Sequence, residues 1–167
     1  KENEDLDDKI TVQSIDGTNT QEITITITGT NDVPSIAGSS TASIEEGVTS
    51  ITGSVTVTDT DSGESKASPE TDTQATYGTF SVSESGTWTY DLNNNLTAVD
   101  SLAVGDELTD TVTVTSADQS ETKDIKIKIT GTNDVPVITS ASSEELGTVT
   151  EDGTITASGD LDITDVD

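Results

Sequence analysis

The sequence has no cysteine and no histidine, and all six of its basic residues are lysine. Without cysteine no disulfide holds the fold, and the redox compartment is unreadable. Without either residue, zinc and copper lack their usual ligands. Aromatics are nearly absent: Tyr77, Phe80, Trp88 and Tyr90 are the whole set, all within fourteen positions. Any core must therefore be built mainly from Val, Ile, Leu and Ala, with Thr on the other faces of strands. No apolar run is long enough to span a bilayer, so direct membrane insertion is not expected. No signal peptide is present, although a fragment would lack one in any case.

Positive charge is scarce as well, and the net charge is −27 at pH 7. Nothing here can replace the counterions of a phosphate backbone, which excludes nucleic acid as a partner. The acidity itself has three open readings: a solubilising surface, adaptation to salt, or a set of cation ligands. The positions of the carboxylates must decide between them. Small extracellular domains without disulfides often use metal instead.

What the sequence does have is repetition. Thr-Gly-Thr-Asn-Asp-Val-Pro occurs at Thr28 to Pro34 and again at Thr130 to Pro136, 102 positions later. The segment from Asp5 to Val12 aligns with Glu107 to Val114, and Glu22 to Thr28 with Asp124 to Thr130. Beyond the second heptapeptide the match resumes with the offset grown by four, pairing Glu45-Glu46-Gly47 with Glu151-Asp152-Gly153. Asp59-Thr60-Asp61 then pairs with Asp165-Val166-Asp167. Repeats of this kind imply stacked modules. The expected division is 1–29 as the tail of one repeat, 30–34 as linker and 35–130 as a whole repeat. A second linker follows at 131–136, and 137–167 is the head of a third repeat. Both ends then fall inside repeats, as in a piece of a longer protein.

Ile23, Ile25 and Ile27 alternate with polar residues, as do Ile125, Ile127 and Ile129. Period-two alternation marks strands with one buried face. Strands are also expected at Thr49 to Thr58, Thr76 to Ser83, Thr87 to Leu92 and Leu108 to Thr115. Ser85-Gly86 reads as a turn, and a helical turn is allowed only within Asn93 to Leu102. The default architecture is an all-β, antiparallel sandwich repeated in tandem. Pro34 and Pro136 hold the preceding Val extended, making each connector short and stiff.

With strands running alternately down and up, the acidic residues gather at the two ends of the whole repeat. The upper group is Asn31, Asp32, Asp59, Asp61 and Asp118. The lower group is Glu45, Glu46, Asn133 and Asp134, with Asp165 and Asp167 from the next repeat. Grouped carboxylates repel unless a cation neutralises them, and hard oxygen donors are the Ca²⁺ set. The plain alternative is that Asn-Asp is a turn signal and Asp-Thr-Asp a solvated loop. An EF-hand fails, because Glu64 stands where the loop requires Gly and the flanks read as strands.

Tyr77-Gly78-Thr79-Phe80, Gly86-Thr87-Trp88-Thr89-Tyr90-Asp91-Leu92, Leu108-Thr109-Asp110 and Gly131-Thr132-Asn133-Asp134-Val135-Pro136 resemble the VCBS-type repeats of giant RTX-type bacterial surface adhesins. More distantly, Asp59-Thr60-Asp61, Glu45-Glu46, Ala117-Asp118 and Asn133-Asp134-x-Pro look like the Ca²⁺-binding segments of cadherin repeats. The resemblance implies Ig-like or cadherin-like sandwiches at the bacterial cell surface. It further implies Ca²⁺ between repeats and partners that are neighbouring repeats of the same chain. A cadherin-type Asp-Arg-Glu ligand segment has only weak substitutes here, Asp106 and Glu107.

Three functions follow for comparison. An extender would project a distal adhesive tip for attachment and biofilm formation. A binding module would grip glycan, or make homotypic contacts with another adhesin, with Trp88 and Tyr90 as a stacking platform. Both point the same way along one strand, as core residues do. An enzyme would have to work with carboxylate pairs alone, and no such site is recognisable. A Lys–Asn isopeptide cross-link is chemically open in such a sandwich.

Overall fold

The computed structural model describes residues 4–140, 147–153 and 155–167. Residues 137–167, the expected head of a third repeat, therefore lie partly outside the described residues. Alternating Thr and β-branched apolar residues produce strands almost throughout. In chain order they are β1 Asp5–Gln13, β2 Thr20–Thr28, β3 Ser35–Gly38, β4 Thr41–Glu45, β5 Ser50–Thr58 and β6 Glu70–Gln74. There follow β7 Gly78–Val82, β8 Thr87–Leu92, the short helix α1 Thr97–Asp100, β9 Glu107–Thr115, β10 Thr122–Thr130, β11 Val137–Ile138 and β12 Ile163–Thr164.

Between the two heptapeptides the chain forms a two-layer sandwich. One sheet has the order β3-β5-β8-β7-β6 and the other β4-β10-β9. The inward residues of the larger sheet are Val55, Val57, Phe80, Val82, Trp88, Tyr90 and Leu92. They meet Ile44, Val112, Val114, Ile125, Ile127 and Ile129 of the smaller sheet. Burying each large aliphatic side chain stabilises the fold by about 1.5–3 kcal/mol. Phe80 and Trp88 pack with ring centroids 6.2 Å apart.

Two features depart from the sequence expectation. The first descending strand is split: β3 pairs antiparallel with β5, and β4 pairs parallel with β10. The break comes at Gly38, whose φ of 130° suits glycine and lets the chain cross between sheets. The sandwich is thus antiparallel except for this one pair, because the crossed strand lies beside the last strand and runs the same way. The second feature is β6, a polar edge strand without alternation. Its register slips between Glu70 and Thr73, and Asp72 takes φ 50° there. A bulged edge resists pairing with another chain.

Outside the sandwich, β1 and β2 form a hairpin whose nine residue pairs match those of β9 and β10. Leu6 opposite Ile27, for example, corresponds to Leu108 opposite Ile129. Burial differs sharply: Ile125, Ile127 and Ile129 are 0 % exposed, whereas Ile23, Ile25 and Ile27 are 47, 45 and 55 % exposed. Among the described residues no second sheet covers the apolar face of β1–β2. Similarly, Val137 opposite Thr164 corresponds to Ser35 opposite Thr58.

Candidate functional site

Residues 30–34, the expected linker, enter the sandwich beside the β9–β10 turn, at its upper end. Asn31 Nδ2 donates to Asp118 Oδ2 at 3.2 Å, and the Asp32 N–H donates to Asp61 Oδ2 at 2.9 Å. The Asp61 N–H in turn donates to Asp59 Oδ1 at 2.8 Å. So the upper residues, drawn from three separate stretches of sequence, do meet. One carboxylate oxygen from each of Asp59, Glu64 and Asp118 lies within 4.8 Å of the others. Glu64 joins this group from the loop after β5. Asp32 is present through its backbone, with its side chain exposed.

Burial pushes the Asp118 carboxyl up, but hydrogen bonds outweigh it. Donors are the Ser116 and Ser120 hydroxyls, the Ser120 N–H and Asn31, and they hold its pKa at about 2. In the first hairpin, Asp16 takes the corresponding place and is held at about 2 by the Ser14 hydroxyl, with help from Thr18.

The lower end is built where the chain leaves β10. A Cβ on Gly131 would stand 2.5 Å from the Leu102 carbonyl oxygen, so only glycine lets the linker pass this close to the segment after α1. That passage brings Asp134 to Asp100 at the end of α1. Glu46, just past β4, is the third member, and oxygens of Glu46, Asp100 and Asp134 lie within 4.8 Å of one another. Glu46 is 8 % exposed. Its Oε2 accepts from the Thr132 N–H at 3.0 Å, and its own N–H donates to the Thr130 carbonyl at 2.9 Å.

The structure does not bring Glu45 into this group; it is exposed, opposite Thr130. Asn133 is also exposed, and its amide donates to the Asp134 carbonyl. The Asp134 N–H donates to Asp167 Oδ2 at 3.4 Å, matching Asp32 and Asp61 above. Asp165 is held above the usual carboxylate range by its hydrogen bond with Asp167, by burial and by the Asp167 charge. The weak substitutes Asp106 and Glu107 do not join the group either. Glu107 is occupied by Lys128 at 2.5 Å, and the helical turn supplies Asp100 instead.

Among the described residues, each end holds one buried carboxylate oxygen with no hydrogen-bond partner, Asp59 Oδ2 above and Asp134 Oδ2 below. A buried, unsatisfied carboxylate oxygen is costly unless something positive meets it. These oxygen-only donor sets suit a hard divalent cation such as Ca²⁺. Asp59, Glu64 and Asp118 would hold it above, and Glu46, Asp100 and Asp134 below.

A further carboxylate, Asp110, carries no site motif in the sequence. Asp110 is 2 % exposed, in the sandwich interior. Its Oδ2 accepts from the Tyr90 hydroxyl and from the Tyr77 N–H, each at 2.8 Å, and its Oδ1 accepts from the Thr111 N–H at 2.9 Å. Burial pushes its pKa up, but these donors with Thr76 outweigh it and the net shift is downward. Burial, the bond to Asp110 and its charge raise Tyr90. The signal was available: Asp110 shares the inward parity of Leu108, Val112 and Val114. It anchors two aromatic residues and touches neither end group.

Trp88 and Tyr90 are 3 % and 0 % exposed, which removes the stacking platform. Every described lysine lies at least partly exposed, whereas an isopeptide donor would have to be buried beside its acceptor. No helix among the described residues is long and apolar enough to cross a membrane.

A family model described as bacterial cadherin-like domain matches residues 31–131, more than half of the 167-residue chain. No match is found among curated proteins.

Proposed function

We propose a function from one premise: the chain belongs to the bacterial cadherin-like domain family. Such sandwiches are a non-catalytic adhesion fold, and this chain is not an enzyme. It is an extender segment of a secreted bacterial surface adhesin of the VCBS-containing, RTX type. Cadherin-like repeats stack end to end and carry a distal tip toward a cell or surface, as in biofilm formation. Residues 1–29 are the tail of one repeat, 35–130 a whole repeat and 137–167 the head of the next, joined by linkers 30–34 and 131–136. The recurring registers of the flanking pairs support this division.

Ca²⁺ fills the two end groups and fixes each linker to the sandwich. The observation that carries this reading is the pair of unpartnered, buried carboxylate oxygens, Asp59 Oδ2 and Asp134 Oδ2, one at each linker. Extracellular modules bind Ca²⁺ with dissociation constants of about 10⁻⁴–10⁻³ M, which fits seawater or host fluids. Above, the linker residues Asn31 and Asp32 are already tied to Asp118 and Asp61. A cation there adds charge neutralisation to an existing tether. Calorimetric titration of Ca²⁺ after EDTA treatment tests it. Saturable binding that Asp59→Asn weakens is expected; an absence of binding at millimolar Ca²⁺ would return both groups to solvated loops.

A further inference from the structure

Load applied through the two linkers must cross the sandwich. The first linker enters beside the start of β10, where Asn31 meets Asp118. The second leaves at the end of β10, where Thr132 meets Glu46. The entry and exit are therefore separated by the length of β10, nine residues or roughly 27 Å. After the short β3, the chain descends through β4. That strand lies against β10, parallel to it, over five residue pairs from Thr41 opposite Lys126 to Glu45 opposite Thr130. We propose that the parallel β4–β10 pair is a shear clamp that carries tension between the two ends of the sandwich. This rests on the extender reading for its use, while the mechanical property stands by itself.

The geometry gives the reason. Tension pulls β4 toward the upper end and β10 toward the lower end, along the strand axes. The hydrogen bonds between them lie across that direction, so all must yield together. Pulling two strands apart from one end instead breaks the bonds in turn. The pair is closed at both ends by 2.9 Å bonds, Lys126 N–H to the Ser40 carbonyl and Glu46 N–H to the Thr130 carbonyl. The Thr132 N–H bond to Glu46 Oε2 adds a further tie at the exit. Ile44, Ile127 and Ile129 lock the inner face of the pair in the core. β3 is paired to β5 by only four residues and stands ahead of the clamp on the load path. Its loss leaves the β4–β10 bonds in place.

Single-molecule pulling on this chain tests the clamp, and the absence of native cysteine makes handle placement unambiguous. Handles at Thr30→Cys and Val135→Cys load the pair in shear. Handles at Val48→Cys and Val135→Cys load it from one end. In EDTA, the first geometry is expected to need a severalfold higher unfolding force. Equal forces would overturn the proposal. A second comparison uses proline in β4. Since the Glu46 N–H faces β10, alternation places the Ala42 N–H on that side and the Ser43 N–H on the other. Ala42→Pro should lower the shear force and Ser43→Pro should leave it; equal losses would also overturn the proposal. Repeating the shear measurement in Ca²⁺ separates the two readings. A clamp that holds in EDTA with no change in Ca²⁺ supports the clamp and counts against the cation-stiffened junction.

Discussion

Replacing Asp59 with asparagine should change stability in opposite directions with and without Ca²⁺. Oxygens of Asp59, Glu64 and Asp118 lie within 4.8 Å of one another. Each pair of charges at that distance repels by about 0.9 kcal/mol at the dielectric constant of water and about 3.5 kcal/mol at an effective value of 20. Asp59→Asn removes two of the three pairs, so it relieves between about 2 and 7 kcal/mol. All three residues are partly exposed, which favours the lower figure. The substitution also keeps the side-chain oxygen that accepts from the Asp61 N–H. In EDTA the variant should therefore be more stable than the parent by about 1–2 kcal/mol. With Ca²⁺ at a hundred times its dissociation constant, the parent gains about 2.7 kcal/mol. The variant, lacking a charged ligand, should gain much less and fall below it. Urea denaturation followed by Trp88 fluorescence, in EDTA and in Ca²⁺, reads both states. If Asp59→Asn destabilised the chain equally in the two buffers, the carboxylate would be an ordinary hydrogen-bonding group and the cation argument would fail.

Removing the Tyr90 hydroxyl by Tyr90→Phe takes one donor from the ionised Asp110 and should cost about 1.5–3 kcal/mol in a denaturant titration. The pH dependence follows from the depressed pKa of Asp110. Its contribution is fully present above the unfolded carboxylate value near 3.9 and is lost as pH falls through the folded value, so stability rises with pH across that window. Tyr90→Phe weakens the depression, and acid unfolding monitored by circular dichroism should move to higher pH; an unchanged midpoint would deny Asp110 this role. Gly53→Ala would place a Cβ 2.6 Å from Trp88 Cε2, and the resulting overpacking should cost about 1–3 kcal/mol by urea titration.

Much of the fold was legible because the chain is built from short strands with strict alternation. The runs around Ile125 and Trp88 declared their inward faces, and the strand directions placed Asp59, Asp61 and Asp118 at one end. Other features depend on contacts that no local pattern carries. The crossing at Gly38 that makes β4 parallel to β10 is visible only once both sheets exist. β6 hid because a bulged, polar edge strand has no alternation to read. Asp100 reaches the lower group only because Gly131 packs against the segment after α1. In sequence Glu64 only spoils an EF-hand, and its place beside Asp118 follows from the turn after β5. Glu45 and Glu46 were indistinguishable in sequence, yet β4 ends between them and only Glu46 turns inward.

Small-angle scattering of this chain during a Ca²⁺ titration after EDTA tests the central claim most directly. Ca²⁺-fixed junctions predict a saturable increase in maximum dimension and stiffness, at millimolar or lower concentration, that Asp59→Asn and Asp134→Asn each weaken. A scattering profile unchanged from EDTA to saturating Ca²⁺ would contradict the account.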